Sequence, residues 1–84
     1  MTIRTIMTHD AEANEILENK IRFMFRGDKE HFKVNDVIHF RVMKGGKEIL
    51  HKINSKAYVI TAIVDHANAP IEDGFLLIGF RELR

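Results

Sequence analysis

The sequence predicts a small α+β fold: five to six mostly antiparallel strands curled into a barrel, with one short helix after the first strand. Three observations lead there. Short β-type runs recur between turn signals along most of the 84 residues. A single helical stripe, Ala13, Ile16 and Leu17, interrupts them early. Strands in that order protect their edges by curling, with the helix plugging one end.

Taken in order, Ile3–Met7 is rich in β-branched residues and predicts the first strand. Thr8 or Asp10 stands where a helix cap belongs. Glu12 falls in the first turn, where a carboxylate suits the positive end of the helix dipole. The helix is expected to run about ten residues and to stop at a left-handed Asn19. Ile21 to Arg26 then alternates strictly. Phenylalanine is costly to leave in water, so Ile21, Phe23 and Phe25 are expected to face the core, with Arg22, Met24 and Arg26 opposite.

Gly27-Asp28 opens a loop that Phe32 and Val34 are expected to pin to the core. Asn35-Asp36 turns the chain into the strand Val37–Met43, with Ile38, Phe40 and Val42 inward and His39 and Arg41 on the other face. Lys44-Gly45-Gly46-Lys47 reads as a tight reversal, because two glycines tolerate the positive φ of a primed turn, and Glu48–Leu50 pairs back. His51–Lys56 carries no legible pattern. Ala57–His66 is the longest apolar β-type run and predicts a central strand, broken by Asn68-Ala69-Pro70. Phe75–Phe80 is the last strand, with Gly79 marking a bulge or a close backbone approach. With no repeat, linker or low-complexity tract, residues 1–84 read as one domain.

Composition narrows the chemistry. No cysteine is present, so disulfides, thiolate zinc sites and cysteine nucleophiles are excluded. No apolar run approaches about 18 residues, which predicts a soluble chain with no membrane partner, in the cytoplasm. The five histidines, His9, His31, His39, His51 and His66, lack metal-ligand spacing. Thr8, Ser55 and Thr61 lie in no nucleophile elbow. No metal, cofactor or catalytic residue is expected. The net charge of +1 divides into an acidic start, a middle of +6 over residues 20–56, and an acidic end. A basic middle between acidic flanks orients a protein on a polyanion. Lys20, Arg22, Arg26, Lys29, Lys33 and Arg41, with His39, are therefore expected to meet phosphates: guanidinium forks match their oxygens and lysine adds attraction. The two-residue period assigns Phe23 and Phe25 to the core rather than to base stacking.

Asn19–Arg26 and Asp73–Glu82 resemble the ASCH superfamily, a branch of the PUA-like pseudo-barrels that includes small stand-alone bacterial and phage proteins. Members carry a helix, then Gly-x-Lys-Thr-x-Glu-x-Arg, then a Val-Gly-Asp turn into a strand. Here Ile16–Arg26 occupies the first part and Phe32–Ile38 the turn. Asp73–Glu82 is similar to the closing Gly-aromatic-aliphatic strand. The resemblance implies a PUA-like barrel with an RNA-related cleft, and so RNA or a nucleotide-like ligand as partner. Asn19 stands for the family glycine, Ile21 for the lysine and Met24 for the glutamate; only Arg26 of the motif charges is kept. Members with amidohydrolase activity on a modified nucleoside use that lysine and glutamate as acid–base groups. Met24 moves no proton, so the resemblance implies a binding module without catalysis. Two alternatives stand beside it. One is an amidohydrolase with altered acid–base residues drawn from Glu30, Asp65 or Glu72. The other is a protein-interaction module whose basic strand meets an acidic partner.

Overall fold

A computed structural model describes residues 2–83. In it six strands and one α-helix follow one another as β1 (Ile3–His9), α1 (Asp10–Leu17), β2 (Phe23–Gly27), β3 (Val37–Lys44), β4 (Lys47–Ile49), β5 (Tyr58–Val64) and β6 (Phe75–Glu82). Two short 3-10 turns, Asp28–Glu30 and Lys52–Ser55, complete the chain. The sheet runs β1-β3-β5-β6-β2, with β4 attached to β3. Only β1 and β3 pair in parallel, and every other pairing is antiparallel. The sheet curls into a half-barrel, so the predicted α+β class and the early helix are what the chain adopts.

The helix is shorter than expected, at eight residues, and His9 occupies its cap position without a side-chain bond. Thr8 does not cap it; its hydroxyl instead donates to the Glu12 carboxylate. At the other end Asn19 is left-handed, with φ of 60°. The Lys20 and Asn19 amides donate to the Glu15 and Ile16 carbonyls at 2.9 and 3.0 Å, the paired bonds of a Schellman stop. Ala13 and Ile16 are buried and Leu17 packs beside them, as the stripe requires.

Inside the barrel Phe40, Tyr58 and Phe80 pack with ring centroids 5.3 to 5.7 Å apart. Ile38, Val42, Ile60 and Ile78 surround them, each fully buried. Strand β5 lies at the centre of the sheet, as expected. The bulge falls at Thr61 in β5, opposite the glycine that signalled it: pairing slips between Ile60 and Ala62, and Ala62 faces Gly79. Gly45 and Gly46 both have positive φ, 59° and 78°, and turn β3 into β4 as expected.

Two expectations about the core are overturned. Strand β2 pleats the other way: Met24 is 3% exposed, whereas Phe23 and Phe25 are 56% and 54% exposed. The register with β6 decides this. Met24 lies opposite Ile78, and partners across a ladder share a face, so burying Ile78 with Phe80 and Leu76 buries Met24 too. Phe40, Tyr58 and Phe80 already pack ring against ring inside, and a flexible thioether adapts to irregular space beside such rings. Val34 is the second correction. Phe32 does pin its loop, but Val34 points to solvent beside the left-handed Asn35.

Candidate functional site

Curling brings the two ends of the sheet, β1 and β2, toward each other without pairing them. Backbone polarity alternates along a strand. The Val37 amide donates to the Thr2 carbonyl, so the even-numbered residues of β1 address β3, and Thr5 and Met7 turn their backbone groups away from it. Likewise the Phe80 amide donates to the Arg22 carbonyl, so Phe23 and Phe25 turn theirs away from β6. These two open edges form a seam.

Arg26 sits in that seam. Its Nη1 donates to the Phe25 carbonyl at 2.6 Å. Its Nη2 reaches the Met7 carbonyl and Glu12 Oε1, each at 3.4 Å. Because Glu12 Oε1 also accepts from the Thr8 hydroxyl, one guanidinium ties both edges to the helix. On one side of it lies a cleft of about 370 Å³, lined by Thr5, Ile6, Met7, Lys29, Glu30 and Phe32. On the other side a cleft of about 240 Å³ opens between Met7, Thr8, His9, Glu12 and Met43.

The remaining expected site residues divide among other surfaces. Arg22 lines a cleft of about 290 Å³ at the far end of the helix, with Asn19, Tyr58, Phe80, Arg81 and Glu82. Burial, and then the Glu82 carboxylate, push the Tyr58 phenol up, so it stays neutral there. Lys33 borders a fourth hollow, beside His31 and Asp65. Lys20 is exposed and paired with Glu18 at 2.9 Å, and that hydrogen bond and charge raise its pKa. His39 and Arg41 lie on the outer face of β3, opposite in register to Thr5 and Met7. Arg41 is held there by Glu48, with Nη2 to Oε2 at 2.6 Å. The three guanidinium groups of Arg22, Arg26 and Arg41 therefore address three different surfaces. Arg26 and Lys29 do share one, the seam cleft. Among the described residues Arg22, Lys29 and Lys33 have no ion-pair partner.

The carboxylates weighed for acid–base work are also apart: Glu30 borders the seam cleft, Asp65 the hollow beside Lys33, and Glu72 a groove beside Phe25 and Phe75. Among the described residues no three histidine, aspartate or glutamate side chains gather as a metal site would need. No helix there is long and apolar enough to cross a membrane.

Two anchoring groups carry no clear mark in the sequence. Arg4 Nε donates to Asp36 Oδ2 at 3.1 Å and its Nη2 to the His31 carbonyl at 2.9 Å, with its guanidinium 5.5 Å from the Phe32 ring centre. This holds the loop behind the seam cleft. Burial opposes the charge of Asp36, but the Lys33 amide and Arg4 outweigh it and hold the carboxyl below its usual value. The second anchor is His51, whose Nδ1 accepts from the Ile53 amide and whose Nε2 meets Asn14 Oδ1 of the helix at 2.8 Å. The Asn-Asp turn before β3 is the one signal for the first; nothing in the spacing signals the second. The chain matches no protein-family model and no curated protein.

Proposed function

We propose that the chain binds single-stranded RNA or a nucleotide-like ligand at the seam, as an ASCH/PUA-like module without catalysis. The observation that carries the reading is the pair of open strand edges with Arg26 between them and Lys29 at the mouth. A base edge offers in-plane donors and acceptors, which suit the seam-facing backbone groups of Thr5 and Met7. Lys29 has no ion-pair partner among the described residues and is placed to meet a phosphate. Phe32 supplies an apolar wall, and a cleft of about 370 Å³ falls within the range of small-ligand sites. Arg26, already facing Glu12, acts chiefly by orienting the ligand. Arg22 and Lys33 lie farther off and steer by charge. His39 and Arg41, on the outer face, fall outside the binding surface, and Lys20 contributes little beside Glu18. A cytoplasmic setting fits such a ligand.

The test is a titration of short single-stranded RNA at two salt concentrations, comparing the native chain with an Arg22→Ala, Lys29→Ala variant. Neither side chain bonds the rest of the described fold, so stability should hold. The variant is expected to bind more weakly, with a salt slope shallower by about 0.7 for each phosphate it no longer neutralises. Unchanged affinity and slope would remove the reading.

A further inference from the structure

The outward pleat of β2 leaves an apolar face with no partner. Phe23, Phe25 and Phe75 are 56%, 54% and 43% exposed. All three stand on the outer side of the β2–β6 ladder, where Phe25 faces Leu77, Phe23 faces Gly79 and Phe75 faces Gly27. Pro70 and Ile71 extend the patch as one wall of a groove of about 420 Å³ beside Phe25 and Phe75. Three large rings clustered on one face of so small a chain mark a contact surface.

The charges at its two ends say what covers it. Beyond the Phe75 end lie Asp28, Glu30, Glu72 and Asp73, opposed by Lys29 and by His66, whose Nδ1 stands 3.2 Å from Asp73 Oδ1 and leaves the other oxygen free of it. Beyond the Phe23 end the outer face carries Arg81, while Arg22 and Glu82 turn to the inner face, Glu82 beside Lys56. A polyanion laid along the rings would meet carboxylates at one end. A second copy turned about a twofold axis sets the acidic end of each chain against the basic end of the other, and does so twice. We propose that the outer face of β2 and β6 is a homodimer interface. In it Phe23, Phe25 and Phe75 pack on their counterparts, and Arg81 meets the Glu72-Asp73 corner of the other copy. Met24 and Arg26 point to the opposite face of β2, so the seam stays open and this inference stands apart from the ligand reading.

Light scattering or sedimentation of the full chain over a wide concentration range tests it. The expected result is twice the mass of one chain, dissociating on dilution. Phe23→Ser with Phe25→Ser should give a monomer with an intact circular dichroism spectrum. Arg81→Glu, a change at an exposed position that spares folding, should weaken the dimer by about tenfold, and adding Asp73→Arg should restore it. A monomer at every concentration would overturn the proposal, as would a dimer indifferent to all of these changes. Single-stranded RNA held by a monomer and released when the phenylalanines are replaced would also overturn it, assigning the face to base stacking instead.

Discussion

The Arg26 guanidinium lies 3.4 Å from the Met7 carbonyl oxygen, across the gap between the two end strands of the sheet. That bond, with those to Phe25 and Glu12, takes the place of the ladder hydrogen bonds of a closed barrel. Arg26→Met keeps most of the apolar stem and removes all three bonds. It should lower the unfolding free energy in urea by about 1.5–3 kcal/mol, the range for hydrogen bonds made by a charged group. Arg26→Lys should recover only part of this, because a point charge on a flexible stem does not reproduce a planar fork.

The Arg4–Asp36 pair predicts a pH dependence with a definite sign. Asp36 is held below its usual carboxylate value in the folded chain, so its contribution is fully present above the unfolded pKa of about 3.9. It is lost as pH falls from there through the lower folded value. Melting temperature measured down this acid range should drop less steeply for Asp36→Asn than for the native chain. At neutral pH the same variant should be less stable by about 2 kcal/mol, since Arg4 and the Lys33 amide lose a charged acceptor.

Asn54 makes two side-chain bonds, one closing its own turn and one tying that turn to β3. Its side-chain oxygen accepts from the His51 amide and its nitrogen donates to the Phe40 carbonyl, each at 2.9 Å. Asn54→Ala should cost about 2 kcal/mol, one for each bond. Amide hydrogen exchange should speed up first at His51 and Ile53, because the 3-10 turn there rests on this cap.

Most elements are legible in the sequence because local chemistry and burial agree at them. The left-handed Asn19, the Gly45-Gly46 reversal and the inward Ile38, Phe40 and Val42 each follow from one rule. In β2 two rules conflict. Its buried stripe is a single methionine bracketed by Arg22 and Arg26, while its outer stripe is aromatic. Hydrophobicity alone ranks those faces the wrong way round. The arginines are tolerated on the inner face because they stand at its two ends: Arg22 lines the cleft at the end of the helix, and Arg26 lies in the seam. That depends on where β2 sits in the sheet, which no local window contains. The dispersal of the basic residues has a similar origin. Proximity in sequence does not become proximity in space, because Arg41 alternates outward while Arg22 and Arg26 alternate inward.

The pleat of β2 underlies the seam, the outer phenylalanine face and the placement of Arg26, and methionine oxidation reads it in the native chain. Met7 is 44% exposed and Met24 is 3% exposed. Limited treatment with hydrogen peroxide, followed by peptide mass spectrometry, gives the rate at each sulfur. Met7 should oxidise at least about tenfold faster than Met24, with the gap closing in denaturant. Equal rates in the folded chain would place Met24 in solvent and Phe23 and Phe25 inside, contradicting the account.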